Sequence, residues 1–539
     1  MRANRRFLAA AALLLAVCPA TAAQKTPEAS MPHFAVKDGR HALMVDGAPF
    51  LILGLQANNS SNYPSALPKV WPSVKMMGAN TLEIPVAWEQ IEPREGQFDF
   101  SYVDTLLKEA RAHHTRLVLL WFGTWKNTNP NYTPAWVKLD NARFPRLLDR
   151  EGHSTISLSP IYDGTLQADR KAFAELMRHL KAADPQHTVI LVQVENETGS
   201  YHNVRDFSPA AEKLFAGPVP AELAAGLHKQ PGSWSEVFGK DADECFQAWY
   251  VARYVEQVAE AGKAVYPLPM YVNAALRDPV NEQDPDTYAS GGPTWNVLDI
   301  WKIAAPSIAT AAPDIYGHTS GEVFAQIARY SRPDNPLLIV EIGNAPSFAR
   351  YFFAVLGNHG LGFTPFGMDF TGYVNYPLGA KKVDAETIAP FALDFRIIGP
   401  MMREWAKLSY DTEVWGVSEP DDHAAQSLDL GRWTAKIEYQ KWQFGASGRT
   451  TEIPPGTEEP RGGVLIARLG PDSYLVTGLH ARVRFEPKNG GNMIFDKVEE
   501  GHYDRGRFVT ERLWNGDQTD YGLNFAAIPQ VLRVTLATY

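Results

Sequence analysis

Two apolar segments of this chain each end in a glutamate, and these glutamates have the clearest potential for chemistry. Residues 188–199, TVILVQVENETG, form a largely β-branched run that predicts a strand buried on both faces and leads into Glu197. Residues 336–343, PLLIVEIG, repeat the pattern with Glu341. Carboxylates at the ends of apolar strands cost free energy, but in a (β/α)8 barrel such strand ends carry the catalytic groups. We therefore predict that Glu197 and Glu341 act as a pair.

The spacing of the two glutamates is consistent with two strands of one barrel. They are 341 − 197 = 144 residues apart, about three βα units at roughly 30–50 residues each, which predicts strands 4 and 7. A retaining glycosidase needs two carboxyl groups about 5–5.5 Å apart, one as acid and base and one as nucleophile. The alternative is that residues 195–197 begin a helix, where Glu and Asn are common caps. The repetition of the pattern favours strands.

Three segments resemble glycoside hydrolase family 35, the β-galactosidases. Asn196-Glu197 is similar to the Asn-Glu pair of the clan of retaining (β/α)8 glycosidases, whose acid/base follows strand 4 and whose nucleophile follows strand 7. The resemblance covers about residues 40–410. It implies that Glu197 is the acid/base, that Glu341 is the nucleophile, and that Asn196 hydrogen-bonds the sugar 2-OH. It also implies that Tyr316, after strand 6, orients the nucleophile, the alternative being a core aromatic. The segments are residues 80–100 (NTLEIPVAWEQIEPREGQFDF), 193–199 (QVENETG) and 338–343 (LIVEIG).

Further substrate-binding residues follow from the resemblance and from position. Glu83 and Trp88 match the family pattern on strand 2, and Trp125 takes the place of a family tryptophan after strand 3. Asn58 follows predicted strand 1, where polar groups can reach a substrate. Glu195 is predicted to be structural, because neighbouring strand residues point to opposite faces.

The chain departs from the family pattern at three positions near the predicted site. Pro85 replaces a tyrosine that usually touches galactose, Ile91 replaces a histidine, and Thr124 stands where the family has a glutamate. These departures bear on sugar specificity more than on the reaction. A β-L-arabinopyranoside, which lacks only the hydroxymethyl group of a β-D-galactoside, is therefore a predicted second substrate.

The hydrophobic pattern predicts an α/β fold, a (β/α)8 TIM barrel over residues 34–408 followed by a smaller C-terminal β-sandwich accessory domain over residues 409–539. A hairpin over residues 34–50, with two Asp-Gly turns, is predicted to cover the bottom of the barrel. The insertion 199–240 is predicted to shape a pocket at the top. Predicted barrel strands are residues 50–56, 81–86, 117–121, 189–194, 270–273, 313–316, 337–341 and 362–366. Predicted helices are 102–113, 171–183, 242–261, 347–356 and 388–405, the last interrupted at Pro390 and Pro400. Predicted sandwich strands are 463–469, 474–477, 481–486, 506–510 and 531–538.

Composition narrows the classes of partner. The chain has 539 residues and a net charge of −10, which argues against nucleic acid and against an anionic membrane surface. The sequence contains no HExxH motif, P-loop or dinucleotide fingerprint, so we predict neither a metal site nor a cofactor. Cys245 lies in a helical pattern and is expected to be a small buried apolar residue.

The N-terminus has the features of a targeting segment. Three arginines within the first six residues precede an apolar run over residues 7–17, and small residues near position 22 offer a cleavage site. We predict a signal peptide over residues 1–23, a disordered lead-in over residues 24–33, and export to the periplasm or the outside. The apolar run is too short to span a bilayer. Lipid attachment at Cys18 is the alternative, although Val17 stands where a small residue is usual.

These observations together predict a secreted, retaining exo-β-galactosidase. It would remove terminal non-reducing β-D-galactosyl residues from oligosaccharides or polysaccharides by double displacement. One alternative is an endo-β-glycanase of the same clan, such as a mannanase or glucanase. A second is a non-catalytic carbohydrate-binding protein on a barrel. The sequence leaves the oligomeric state open.

Overall fold

The computed structural model describes residues 30–443 and 452–539. The predicted signal peptide and the first part of the predicted lead-in lie outside the described residues. The last lead-in position, His33, begins a strand, His33–Lys37. Within the two described ranges, no helix is both long enough and apolar enough to cross a membrane.

Eight parallel strands close into a barrel, which confirms the predicted fold class. Each strand is buried along nearly its whole length, because helices cover the outside and side chains fill the inside. The prediction missed the length of strand 3, which continues to Lys126. In chain order, barrel strands 1 to 8 are Ile52–Gln56, Thr81–Ala87, Arg116–Lys126, Val189–Asn196, Met270–Ala274, Thr310–Ile315, Ile339–Ile342 and Gly362–Pro365.

The helices around the barrel bury one face each. Ser101–Ala112, for example, buries Val103, Leu106 and Ala110 at helical spacing. The predicted last helix is divided at Gly399–Met401, whereas Pro390 lies inside a continuous helix. The main helices are Leu67–Met77, Ser101–Ala112, Asp163–Ala183, Ala242–Val265, Leu298–Ala304, Ser320–Tyr330, Tyr351–Gly357, Ala385–Ile398 and Met402–Asp411.

A small antiparallel sheet closes the bottom of the barrel, where the hairpin was predicted. Asp38 and Asp46 open its two turns with positive φ, as the Asp-Gly pairs require. Leu43 and Val45 project from this sheet into the apolar cluster inside the barrel. The strands of the sheet are His33–Lys37, Arg40–Val45 and Ala48–Phe50.

Two antiparallel sheets form the C-terminal part, as the sandwich prediction required. Their facing sides share a second apolar core that includes Trp433, Val476 and Phe485. The six-stranded sheet has the order Val414–Ser418, Gly463–Arg468, Ser473–Leu479, Val531–Thr538, Met493–Asp504 and Arg507–Leu513. The four-stranded sheet has the order Gln426–Asp429, Trp433–Tyr439, Ala481–Pro487 and Leu523–Phe525.

The sandwich packs directly on the barrel helix Tyr351–Gly357. Its strand Val414–Ser418 approaches so closely that a Cβ on Gly357 would lie 2.0 Å from the backbone nitrogen of Gly416. At one end of this contact, Arg350 and Asp421 form an ion pair of 2.5 Å. The interface is therefore made by backbone contact as well as by side chains.

Candidate active site

A cavity of about 550 Å³, hereafter the central cavity, opens at the carboxyl ends of the barrel strands. Three of its acidic residues are Glu197 after strand 4, Asp314 on strand 6 and Glu341 on strand 7. One carboxylate oxygen from each lies within 4.8 Å of the other two. We call these three residues the cavity cluster. The structure thus brings the two predicted catalytic glutamates together and adds a third acid.

Glu341 is held by two hydrogen bonds. The Tyr316 hydroxyl donates to Oε1 at 2.6 Å, and Gln56 Nε2 donates to Oε2 at 3.1 Å. Burial raises the pKa of Glu341 and the charge of Glu197 adds to the rise, while Lys126 and the two hydrogen bonds counteract it. Tyr316 therefore lies where the resemblance implied and contacts the residue it was expected to orient.

Glu197 is positioned mainly through its backbone. Its N–H donates to Asn273 Oδ1 at 2.9 Å, and Asn273 Nδ2 donates to Asp314 Oδ2 at 2.5 Å. The residue has a φ of +45°, a conformation that non-glycine residues seldom adopt and that is common at functional sites. The Lys126 ammonium lies 3.9 Å from Glu197 Oε2. Asn273 thus connects two acids of the cavity cluster.

Asp314 was not predicted as a site residue. Burial raises its pKa well above the usual range, and the charges of Glu341 and Glu197 raise it further. It therefore carries a proton more readily than an exposed aspartate. A signal was present in the sequence: Asp314 precedes Tyr316 by two residues, and alternate strand residues share a face.

An irregularity at the end of strand 3 explains why Trp125 is not at the cavity. Pairing with strand 4 jumps from Trp121–Val194 to Lys126–Asn196, so strand 3 has extra residues here. Trp125 is fully buried and donates from Nε1 to a backbone carbonyl at 3.1 Å. Lys126, the next residue, borders the cavity instead. Trp125 does not line the central cavity, and its role in binding stays a prediction.

Glu195 and Asp169 form a second acidic group behind strand 4, which we call the buried pair. Both side chains are fully buried. Asp169 accepts hydrogen bonds from Trp121 Nε1 at 2.9 Å and Thr124 Oγ1 at 2.6 Å, and Glu195 accepts the Trp125 N–H at 2.7 Å. Burial raises the pKa of Glu195 well above its usual value, and Asp169 adds to the rise. Thr124 thus stabilises this pair and does not reach the cavity.

Four other predicted binding residues are all buried and differ in their hydrogen-bond partners. Asn196 is 1% exposed, and neither polar atom of its side-chain amide has a hydrogen-bond partner among the described residues. Buried amides are usually hydrogen-bonded, so this amide is a candidate for binding a ligand. Glu83 lies inside the barrel, fully buried, and accepts the Thr364 hydroxyl at 2.8 Å. Trp88 is also fully buried and donates to Glu92 at 3.0 Å.

Asn58 hydrogen-bonds a neighbouring loop, and its Oδ1 is buried without a partner among the described residues. Its Nδ2 donates to Asp369 Oδ1 at 2.9 Å and its backbone N–H donates to Oδ2 at 2.8 Å. The next residue, Asn59, lines the central cavity. Glu83, Trp88 and Asn58 do not line the central cavity, and their role in sugar binding stays a prediction.

The insertion after strand 4 forms part of the cavity wall. Tyr201 lines the cavity with 39% of its surface exposed. Ser200 pairs with Ser290 in the loop after strand 5. Gly199 permits this pairing, because it has a φ of +119° and a Cβ there would lie 2.7 Å from two backbone oxygens. The prediction that the insertion shapes a pocket agrees with the position of Tyr201.

The three carboxylates of the cavity cluster are also close enough to bind one cation together. Lys126 already places a positive charge beside them. A second acidic group in the described part of the chain, Asp149, Glu151 and His153, lies on an exposed turn and is hydrogen-bonded within itself.

Two segments of the chain match known family models. Residues 66–264 match the model described as beta-galactosidase (Glyco_hydro_42). By this match the segment is similar to β-galactosidases of the glycoside hydrolase 42 type. It includes Glu197 and ends before Glu341, and the more specific resemblance to family 35 is not confirmed by it. Residues 391–526, which begin in the last barrel helices and cover most of the sandwich, match a domain of unknown function (DUF5597).

Relatives of known name are similar to part of the chain. A beta-galactosidase of Xanthomonas manihotis is 32% identical over 262 residues, 44% of this chain and 41% of the relative. Beta-galactosidase 14 of Arabidopsis thaliana is 24% identical over 208 residues, 36% of this chain and 21% of the relative. The chain therefore spans less than half the length of these curated relatives.

Solved structures with a similar course of the chain include two bacterial beta-galactosidases. That of Bacillus circulans sp. alkalophilus has a TM-score of 0.49 at 14% identity, over 69% of this chain and 58% of the other. The cold-adapted enzyme of Rahnella sp. R3 has a TM-score of 0.45 at 13% identity, over 67% of this chain and 61% of the other.

Proposed function

We propose that this protein is a retaining glycoside hydrolase that removes terminal non-reducing β-D-galactosyl residues from oligosaccharides or polysaccharides. The observation that carries the proposal is the approach of the Glu197 and Glu341 carboxylate oxygens to within 4.8 Å at the barrel mouth. Retaining enzymes hold their carboxyl groups about 5–5.5 Å apart, whereas inverting enzymes leave about 6.5–9.5 Å for a water molecule. The match of residues 66–264 supports galactose as the sugar. Membership of family 35 is part of the proposal.

In the first step, a Glu341 oxygen attacks the anomeric carbon and the bond to the leaving oxygen breaks. Glu197 gives its proton to that oxygen, so the leaving group departs as an alcohol. Glu341 must be ionised to attack, and the hydrogen bonds from Tyr316 and Gln56 favour the charged form in a buried setting. Asn196 would hydrogen-bond the 2-OH with its unpartnered amide.

In the second step, the roles reverse. Glu197, now ionised, takes a proton from water, the water oxygen bonds to the anomeric carbon, and the ester bond to Glu341 breaks. Two inversions give net retention.

We further propose that the enzyme is exported through residues 1–23, to the periplasm or the outside, and that it acts from the chain end. The same site would accept β-L-arabinopyranosides, since these differ from β-D-galactosides only by the missing hydroxymethyl group. Tyr201 supports a closed sugar-binding end, because it brings the strand-4 insertion to the wall of the cavity.

The test uses 4-nitrophenyl β-D-galactopyranoside beside the matching β-L-arabinopyranoside, β-D-glucoside and β-D-mannoside. We expect the galactoside to be hydrolysed with the highest kcat/KM, and NMR to detect β-galactose as the first product. Formation of α-galactose first would contradict retention. Cleavage inside mannan or glucan without galactosidase activity would favour the endo-β-glycanase, and binding without hydrolysis would favour the carbohydrate-binding protein.

A further inference from the structure

Two other cavities lie beside the central cavity along the barrel rim. A linking cavity of about 340 Å³ shares Gly317, His318 and Leu378 with the central cavity. A cleft of about 730 Å³, hereafter the interdomain cleft, shares Arg350 and Pro460 with the linking cavity. The three spaces therefore follow one another from the cavity cluster to the sandwich, with the hydrogen bond from Arg350 Nη1 to the Pro460 carbonyl oxygen (3.0 Å) at the boundary between the last two; we call this row of cavities the path.

Both parts of the molecule contribute walls to the interdomain cleft. The barrel provides residues of helix Ala385–Ile398, and the sandwich provides segments near Pro460 and His480. Much of this surface is apolar, from proline, alanine and leucine side chains. Residues of the barrel wall include Pro346, Ala349, Ala389, Pro390 and Leu393, and residues of the sandwich wall include Pro455, Leu479 and Ala527.

Hydrogen-bonding groups stand on this apolar surface without partners. Arg396 on the barrel side and Arg461 on the sandwich side are exposed, and neither guanidinium has a hydrogen-bond or ion-pair partner in the described ranges. Two further polar atoms of this cleft, Arg350 Nε and Asp394 Oδ2, are buried and have no hydrogen-bond partner in the described ranges. A mainly apolar surface with a few convergent polar groups is typical of ligand sites.

We propose that the interdomain cleft binds the saccharide chain to which the cleaved galactose is attached. This inference rests on the proposed function and extends it: the substrate class is a galactosylated oligosaccharide or polysaccharide rather than a small galactoside. A galactosyl unit fills the central cavity, the next units cross the linking cavity, and the following units lie between the barrel and the sandwich. Sugar units offer hydroxyl groups to arginine donors and C–H faces to proline and leucine.

The size of the path supports this occupant over a small aglycone. The linking cavity and the interdomain cleft together exceed the central cavity in volume, so most of the path lies beyond the space for the galactose. A path of this kind contributes binding only to substrates that are long enough to enter it. The sandwich thereby becomes part of the substrate site.

The test compares two substrates in the full-length protein. One is 4-nitrophenyl β-D-galactopyranoside, and the other is an oligosaccharide of at least four backbone units with one terminal β-galactosyl branch. Two variants probe the cleft: Arg461→Ala removes an unpaired donor, and Ala389→Trp fills space from an exposed position. The matched controls are Arg507→Ala, an exposed unpaired arginine on another sandwich strand, and Ala112→Trp, an exposed alanine on a barrel helix outside these cavities. Thermal unfolding confirms that all four variants fold.

We expect kcat/KM of the wild type to be at least ten-fold higher for the oligosaccharide than for the nitrophenyl galactoside. Arg461→Ala should reduce this ratio about three-fold and Ala389→Trp at least five-fold, mainly through KM, while both controls keep the ratio of the wild type. An unchanged ratio in both cleft variants would overturn the proposal. If neither substrate is hydrolysed, the proposed function fails instead. Titration calorimetry with the oligosaccharide then decides the cleft separately: binding lost in Ala389→Trp supports it, and no binding refutes it.

Discussion

Two glutamates at the end of strand 4 are two residues apart and have opposite surroundings. Glu197 belongs to the cavity cluster, with a side chain that is 14% exposed and a lysine 3.9 Å away. Glu195 belongs to the buried pair, is fully enclosed, and accepts a backbone N–H. Both have positive φ, +62° for Glu195 and +45° for Glu197. The comparison shows that contact with the central cavity distinguishes a carboxylate that could take part in a reaction from one that stabilises the strand.

The largest effect is expected from removing the two proposed catalytic acids of the cavity cluster. Glu341→Ala should lower kcat by about 10⁴-fold or more, because no glycosyl-enzyme can form. Glu197→Ala should lower it about 10²–10⁴-fold on a substrate whose leaving group needs protonation. With added azide and an activated aryl galactoside, Glu197→Ala should give the β-galactosyl azide and Glu341→Ala the α-azide, as read by NMR.

The azide products assign each residue independently of any rate. An α-azide from Glu197→Ala would reverse the roles proposed here. Wild-type turnover of an unactivated galactoside by either variant would remove that residue from the mechanism.

A smaller loss is expected when the support of the cavity cluster is weakened. Tyr316→Phe removes a hydrogen bond to the Glu341 carboxylate, worth about 1.5–3 kcal/mol for a charged acceptor, so kcat/KM should fall about 10–100-fold. Because this bond lowers the pKa of Glu341, the acidic limb of the pH profile of kcat/KM should move to higher pH. Tyr330→Phe, which loses a hydroxyl bond to a backbone carbonyl elsewhere, should leave the limb in place. A limb unmoved by Tyr316→Phe would show that Tyr316 does not act on the nucleophile.

Substitution in the buried pair should change the free energy of unfolding rather than the rate of catalysis. Burial, and then Asp169, raises the pKa of Glu195 well above the ordinary value of 4.5, so above about pH 4.5 the folded state binds more protons than the unfolded state. The contribution of Glu195 to stability is therefore complete below that pH and is lost as pH rises toward the folded-state pKa. Glu195→Gln removes this loss.

Urea unfolding from pH 5 to 8 measures this effect. Relative to Glu195→Gln, the wild type should lose up to about 1.4 kcal/mol of unfolding free energy per pH unit until the folded-state pKa is reached. Glu222→Gln, at an exposed position, should follow the wild type. Parallel curves for Glu195→Gln and the wild type would show that Glu195 does not titrate differently on folding.

The smallest effect on activity is expected at Trp88, which the resemblance implied as a binding residue and which does not line the central cavity. Trp88→Phe removes the bond to the Glu92 carboxylate and leaves a cavity at a fully buried position, so it should cost about 2–4 kcal/mol of stability, with kcat/KM for a nitrophenyl galactoside within two-fold of the wild type. A ten-fold loss of kcat/KM at unchanged melting temperature would return Trp88 to the binding site.

Sequence patterns predicted the barrel well because its signals are local. Each barrel strand is a short apolar run, and buried parallel strands differ in this from helices and loops. The sandwich was predicted less completely: Met493–Asp504, with exposed charges along its length, and the short strand Leu523–Phe525 carry little hydrophobic signal.

Residues at the central cavity could be predicted where the sequence at the end of a single strand indicates them. They could not be predicted where their position depends on how two strands pair. Glu197, Glu341 and Tyr316 each follow an apolar run, and all three border the central cavity. Lys126 rather than Trp125 borders the central cavity because the pairing between strands 3 and 4 is irregular. Such a register shift leaves no local trace in the sequence, because it is set by the partner strand.

The close approach of Gly357 and Gly416 bears on how this protein could be recombined with others. A Cβ on Gly357 would lie 2.0 Å from Gly416, and a Cβ on Gly416 would lie 2.3 Å from the Phe353 carbonyl oxygen. Any side chain at either position would force the two layers apart. A chimera that joins this barrel to a foreign sandwich therefore needs a glycine on both sides of the junction. The C-terminal part is thus not a freely exchangeable module.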